Sequence, residues 1–175
     1  MVDFIHLHLH TQYSILDGAC RIKEMVDKAA SLGMRGAAVT DHGNLFGIKE
    51  FAEVAAKKKD FKPIFGCETY VARRSRFEKT EMVDRKGDHL ILLAKNVTGY
   101  KNLLRLISLS WIDGHYYKPR IDKELLQQYH EGLIASSACL AGEIPRAIQA
   151  GNLAKADLVI SEYKALFGED FYLEL

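Results

Sequence analysis

Over residues 2–9 the chain alternates two kinds of side chain. Phe4, His6 and His8, continued by His10, share one parity, and Ile5, Leu7 and Leu9 share the other. A period of two belongs to a β-strand with unlike faces; here one face is apolar and the other carries imidazoles. Such a strand has to lie where a hydrophobic core meets a site, and that constrains the start of the fold more than any other feature.

The rest of the chain repeats one unit. Apolar Ile22, Met25, Val26, Ala29 and Ala30 fall at helical spacing over 22–32, with Gly33 at the closing position. A short apolar strand over 36–40, a helix over 45–58 and a strand over 63–71 come next. Residues 72–88 are charged and lack an apolar period, so they read as an exposed excursion. Its Arg73, Arg74, Arg76, Lys79, Arg85 and Lys86 form the best cationic patch, a pattern more often a solvated loop than a nucleic-acid contact. A strand over 89–94, a helix over 98–110, a loop through Tyr116, Tyr117 and Pro119, a strand over 132–136, helices over 143–150 and 153–167, and a sixth strand over 171–175 complete the reading. Strands alternating with helices predict an α/β fold with a parallel sheet, and six units favour a β/α barrel over an open sheet. The last strand of a barrel closes on its first, so a chain stopping in its sixth strand reads as one domain, residues 1–175, incomplete at its C-terminal end.

With 175 residues, 48% of them hydrophobic, one substantial core is expected, since a domain of this size buries roughly 70% of its unfolded surface. The 24 Lys and Arg balance 23 Asp and Glu, so no overall field argues for nucleic acid or a membrane surface. Cys20, Cys67 and Cys139 are an odd number at wide spacing, unlike the disulfide framework of a small secreted domain. The N-terminus has no export signal and no apolar run reaches bilayer length. A soluble cytoplasmic protein with no membrane partner is expected.

In a β/α barrel the loops after the strands assemble the active site. His8 and His10, on one strand face, can chelate one ion, and three histidines in five positions, of seven in the chain, argue against a merely solvated face. His6 lies further from the strand's C-terminal end and is assigned a packing role or one behind the ligands. His42, at the end of the second strand, is a natural ligand; Asp41 beside it either binds metal or accepts the other N–H of an imidazole, and the latter is preferred. Glu68 ends the third strand, where it can bridge two ions, while Cys67 points to the opposite face as a small buried hydrophobe. Cys139, after the fifth strand, can bring a thiolate to the same mouth, although a lone cysteine is more often inert. His115 and His130 lie in polar stretches and read as exposed. Imidazoles, carboxylates and a thiolate suit zinc, manganese or iron better than magnesium. Clustered ions that activate water and clamp phosphoryl oxygens point to phosphoester hydrolysis.

The segments HLHTQYSILDG, VTDHGNLFG, GCETYVA, DHLILLAKNVTGYKNL, KPRID and GLIASSACLAGEIP, in this order from about residue 3 to the end, together resemble the PHP (polymerase and histidinol phosphatase) domain that opens the alpha subunits of bacterial DNA polymerase III. The resemblance implies a distorted, TIM-like β/α barrel, seven-stranded in the family, whose last units are missing here. It implies that His8, His10, Asp17, His42, Glu68, His89 and Cys139 hold divalent ions, zinc or manganese, up to three in an intact site, with Asp17, His42 and Glu68 serving water activation. Asp17 and His89 enter through the resemblance alone; the first otherwise reads as a turn residue and the second as a strand start. A late-strand Asp and His of the family have no counterpart up to Leu175. The parent so implied is a DNA-directed DNA polymerase of the bacterial cytoplasm, a nucleotidyltransferase that binds DNA, other holoenzyme subunits and a separate proofreading exonuclease subunit, and whose own PHP site is a 3′–5′ exonuclease. Two other readings stay open. One is a free-standing PHP phosphoesterase, against which KNVTGYKNLLRLIS and YYKPRID stand. The other is a non-catalytic module that stabilises the polymerase and docks partners.

Overall fold

The structure is a computed structural model that describes residues 4–80 and 82–175. Helix α1 (Ile22–Ser31) buries Ile22, Val26 and Ala29. It closes in a Schellman motif: Met34 N–H donates to Ala29 O at 3.0 Å and Gly33 N–H to Ala30 O at 3.0 Å, with Gly33 at φ 79°. Strand β1 (Gly36–Val39) and helix α2 (Ile48–Ala55) follow. The helix starts later than expected because Phe46 N–H turns back to Asn44 Oδ1 (3.1 Å), a local bond that competes with helix. Then come β2 (Lys62–Ala72), β3 (Gly87–Ala94), α3 (Val97–Ile112), β4 (Arg120–Ile121), α4 (Lys123–Tyr129), β5 (Leu133–Ser136), α5 (Glu143–Gln149), α6 (Leu153–Phe167) and β6 (Phe171–Tyr172). Strand β4 and helix α4 are too short to show a period in the sequence. Asp122, which caps α4 by accepting from Leu125 N–H, is the one start signal they offer.

The six strands form one sheet in the order β1-β2-β3-β5-β6, with β4 beside β2. Long β2 carries β1 along its first half, from Lys62 to Phe65, and β4 against Tyr70 and Val71, both parallel. Strand β5 pairs β6 in parallel, but β3 runs antiparallel to both β2 and β5. The sheet is therefore mixed, where a parallel one was expected. A parallel crossover is usually built on a helix that packs back across the sheet; among its described residues the β2–β3 connection holds only a 3₁₀ turn at Met82–Arg85 and returns alongside β2.

That connection is exposed over most of its length, as expected, but it is also pinned to the fold. Arg76 is buried and bonds Asp122, Arg74 pairs with Asp84, and Arg73 pairs with Asp88, so half of the cationic patch is spent on internal pairs. One core packs α3, α4, α5 and α6 on the sheet through Leu92, Leu103, Leu126, Leu133, Ala147 and Tyr163. A second joins α1 and α2 to β1 through Val26, Phe51 and Val39.

Residues 2 and 3 of the strand expected over 2–9 lie outside the described residues, and 4–10 form no strand. His6 O accepts from Ala38 N–H (2.8 Å) and Leu9 O from Thr40 N–H (2.9 Å). The segment thus advances three residues while β1 advances two. The extra residue falls at the Leu7–His8 bend, and as in a bulge it breaks the alternation, here between His6 and His8. The two ends of the sheet path meet through side chains: His8, beside β1, contacts Glu174, past β6, at 2.6 Å. The sheet curls on itself in the sense of a barrel.

Candidate metal centre

Strands β1, β2, β5 and β6 bring their C-terminal ends to one rim, and antiparallel β3 brings its N-terminal start there. Glu68 lies at the middle of this rim and is 1% exposed. It shares a face of the sheet with Tyr70 and with His89, which stands opposite Tyr70 in register. Glu68 Oε1 accepts from His89 Nδ1 (2.8 Å) and lies 3.3 Å from His8 Nε2, and Oε2 accepts from His42 Nδ1. Burial opposes ionisation of this carboxyl, but the bonds from His42, His8 and His89 outweigh it and hold its pKa far below the usual carboxylate range.

The imidazoles respond differently. The bond to Glu68 raises the pKa of His42 against the cost of burial. Burial alone would lower His8, yet Glu68 and Glu174 together raise it. His10 is lowered, by burial and by His42, on which it stacks at 4.0 Å. The Nε2 atoms of His8 and His10 face each other at 3.2 Å.

Asp41 organises the loop over 10–18. Its carboxylate accepts from Thr11 N–H, Thr11 Oγ1 and Ser14 Oγ, each at 2.7 Å. Both oxygens are engaged there, so Asp41 orders this loop instead of orienting an imidazole, as was expected of it. Ser14 Oγ in turn accepts from His42 N–H (3.2 Å). The loop sets Asp17 Oδ2 3.1 Å from His42 Nε2, and Gly18 closes it where a Cβ would stand 1.8 Å from Thr11 O. On the far side, Cys139 Sγ lies 3.5 Å from His89 Nδ1 and 3.9 Å from Glu68 Oε1. Burial raises its thiol pKa. Its loop is tied to β3 by His89 N–H donating to Ala141 O (3.1 Å) and passes through Ala138 at φ 59°.

Residues 6–175 match the PHP domain family. The chain belongs to that family. It is 52% identical over 173 residues to the DNA polymerase III subunit alpha of Borreliella burgdorferi, 49% over 172 residues to that of Treponema pallidum, and 44% over 178 residues to that of Thermus aquaticus. These alignments cover 98–99% of this chain and 14–15% of each relative, so the chain spans about 15% of the length of the curated relatives it matches. Among solved structures, a protein of Bifidobacterium adolescentis described as a metal-dependent phosphoesterase superposes with a TM-score of 0.44 at 18% identity, over 63% of this chain and 34% of that one. So partial a likeness carries no argument.

Among the described residues of this PHP domain two sets of donor atoms lie within 4.8 Å of one another and share Glu68: His8, His10 and Glu68, and Glu68, His89 and Cys139. Atoms bound about 2 Å from one ion lie roughly 3–4 Å apart, which is the spacing of His8 Nε2 to His10 Nε2 (3.2 Å) and to Glu68 Oε1 (3.3 Å). His10 Nδ1 is buried with no hydrogen-bond partner among the described residues. The donor set fits divalent ions, with Asp17 and His42 at its flank.

The other histidines and cysteines lie elsewhere. His6 is exposed, edge-on to Phe4 at 4.8 Å. Cys67 is fully buried, its Sγ donating to Asp41 O (3.3 Å). His115 is exposed, but His130 is half-buried against Phe167, because α6 packs beside the end of α4.

Glu174 was not expected in the site. Its Oε1 accepts from His8 Nδ1 (2.6 Å), its Oε2 accepts from Ser136 Oγ (2.8 Å), and its N–H donates to Ser137 Oγ (2.9 Å). It holds the His8 ring with Nε2 toward Glu68, the service a carboxylate behind a metal-bound histidine performs. The expected sixth strand ran over 171–175 and hid this position; the strand stops at Tyr172, which leaves Glu174 just past its end. Among the described residues no helix is long and apolar enough to cross a membrane.

Proposed function

We propose that this PHP domain is a metal-dependent phosphoesterase belonging to the alpha subunit of a bacterial replicative DNA polymerase, where it removes mispaired 3′ ends as a 3′–5′ exonuclease. The observation that carries this reading is the gathering of six ligand-type residues, which with Glu68 come from five separate stretches of chain, around the buried carboxylate of Glu68. Burying one ion costs several kcal/mol, an expense that packing alone does not repay. His8, His10, Asp17, His42, Glu68, His89 and Cys139 would hold zinc or manganese ions, Glu68 serving both halves of the cluster. Such ions, when bound, lower the pKa of water and neutralise phosphoryl oxygens. Glu174 holds His8 in position, and Asp41 keeps Asp17 against His42. The polymerase identity, its nucleotidyl transfer, its cytoplasmic setting and its partners, namely DNA, other holoenzyme subunits and a proofreading exonuclease subunit, rest on the similarity to alpha subunits, of which this chain spans about 15%.

The test uses the full-length polypeptide. Elemental analysis should find divalent metal in stoichiometric amount, and excision of a mismatched primer terminus should be lost in His8→Ala and His42→Ala while polymerisation persists. Stoichiometric metal without excision by the wild-type protein refutes the exonuclease. A loss of thermal stability in both variants with excision unchanged would instead mark a structural metal site.

A further inference from the structure

Beside the metal centre lies a cleft of about 610 Å³, with Asp17, His42 and His89 in its wall. The chain as a whole carries an excess of one positive charge, yet the cleft gathers Arg85, Lys86, Lys118 and Arg146 against a single carboxylate, Asp17. Arg146 is paired with Asp88 (3.2 Å). The other three make no ion pair among the described residues, so their charge is available to a polyanion.

Two aromatic side chains stand among these cations. Trp111, at the end of α3, is 44% exposed; its Nε1–H donates to Gly43 O (2.9 Å), the residue after His42, and its ring stacks on His115 at 5.3 Å. The indole is thereby tied to the loop that carries a ligand. Tyr117 is 61% exposed at φ 61°, at the tip of a turn closed by Tyr116 N–H donating to Lys118 O (3.1 Å), and Arg85 lies over its ring at 4.7 Å. A bulky residue in the left-handed region is an outlier, and such strain is concentrated at ligand sites. Here it keeps an aromatic face in the cleft that burial does not require.

We propose that this cleft is the track of a single-stranded DNA 3′ end, with Trp111 and Tyr117 as base-stacking platforms and Arg85, Lys86 and Lys118 as phosphate contacts. The inference rests on the phosphoesterase reading and names where its substrate lies. Flat faces set among unpaired cations match a chain of bases and phosphates. Stacking needs unpaired bases and tolerates any of the four, as removal of an arbitrary mispaired terminus demands.

Two readouts on the full-length, metal-stripped or metal-loaded protein separate this idea from the one beneath it. First, an oligodeoxynucleotide ending in a photoreactive thymine analogue is irradiated with the metal-stripped protein and the adducts are mapped. Adducts at Trp111, His115 or Tyr117 are expected whether or not the protein hydrolyses DNA, and their absence from the wild-type protein overturns the track. Adducts without any hydrolysis would leave the track standing and the phosphoesterase refuted. Second, with the loaded enzyme, KM for a single-stranded 3′ tail should rise about ten-fold or more in Trp111→Ala, with a smaller change in kcat, and Trp111→Phe should restore most of it. Tyr117→Gly relieves the backbone strain, so its melting temperature should not fall below wild type while KM rises. Unchanged KM in both Trp111→Ala and Tyr117→Gly refutes the platforms and leaves the exposed face to a protein partner. Arg85→Ala and Lys118→Ala should each flatten the salt dependence of KM by about 0.7 in log–log slope.

Discussion

Arg120, the arginine of the KPRID segment, offers the sharpest test of how this fold is held. Its side chain is 0% exposed, and its guanidinium donates to four backbone carbonyls: Nε to Gly114 O (3.0 Å), Nη1 to Asp84 O (2.8 Å), and Nη2 to Arg76 O and Glu78 O (2.9 Å each). Three of these acceptors belong to the β2–β3 connection. One cation therefore gathers that connection onto β4 and onto the turn after α3. Burial lowers the Arg120 pKa, the expected mark of a charge taken out of water.

Arg120→Met keeps most of the stem volume and leaves the four carbonyls without their donor. A hydrogen bond to a charged group contributes about 1.5 kcal/mol or more, and the recovered cost of burying the charge offsets part of the total. The net expectation is about 3–5 kcal/mol, the range seen when a buried charged network is broken. Against a total stability of about 5–15 kcal/mol this is a large fraction, equivalent to a melting point lower by about 10 °C in a chain of this size. Urea unfolding followed by far-ultraviolet circular dichroism and by the fluorescence of Trp111, the only tryptophan in the chain, measures it directly. Arg120→Lys, a point charge without the planar fork, should fall between. A cost below about 1 kcal/mol for Arg120→Met, with the β2–β3 connection as resistant to protease as before, would show that the four bonds are incidental.

Glu174→Ala should weaken zinc binding about 10- to 100-fold by freeing the His8 ring, read by competition with a chromogenic chelator; unchanged affinity would remove Glu174 from the site. Asp41→Ala leaves Thr11 and Ser14 without their acceptor and should cost about 2–3 kcal/mol in urea unfolding, with Asp41→Asn milder. For the metal-stripped protein the pH dependence is set by the signs of the shifts. The depressed Glu68 carboxyl contributes stability above its unfolded pKa near 4.5 that is lost as pH falls toward its folded value. The raised His8 and His42 contribute stability below their unfolded 6.5 that is lost as pH rises through their folded values, while His10, lowered, opposes them below 6.5. Melting temperature should therefore peak between about pH 4.5 and 6.5 and decline toward pH 8. Saturating zinc, which needs deprotonated ligands, should stabilise most above pH 6.5, and equal zinc shifts at pH 5.5 and 8 would contradict imidazole ligation.

The long elements were legible because their periods are long enough to read. Helix α1 shows its stripe and its Gly33 closure, and β2 shows its apolar entry before Glu68. What escaped has a physical reason in each case. The imidazole alternation of His6, His8 and His10 is real in sequence, but one extra residue at the Leu7–His8 bend turns His6 away from its neighbours, and no pattern of two reveals an inserted residue. Arg76 looked like one more solvated cation because its partner Asp122 lies 46 positions away. Asp41 was assigned to an imidazole because both lie at one rim; Thr11 and Ser14, two small hydroxyl residues in the preceding loop, reach it first.

His89 shows why direction matters more than position. The rule that sites gather at strand C-termini holds for parallel sheets, and by it a histidine at the start of a strand belongs to the wrong end. Strand β3 is antiparallel, so its start lies beside the C-terminal ends of β2 and β5, and the register sets His89 opposite Tyr70, diagonal to Glu68 on the same face. Diagonal cross-strand neighbours are within reach of long side chains, so β3 delivers an imidazole from within a ladder, whereas His8, Asp17, His42 and Cys139 arrive on loops. The rigid pair Glu68 and His89 thus forms the fixed side of the site, and the loops close toward it. Glu174 obeys the ordinary rule, two residues beyond β6 on a strand parallel to β5, and with it the same rim that begins at His8 ends at a carboxylate touching His8.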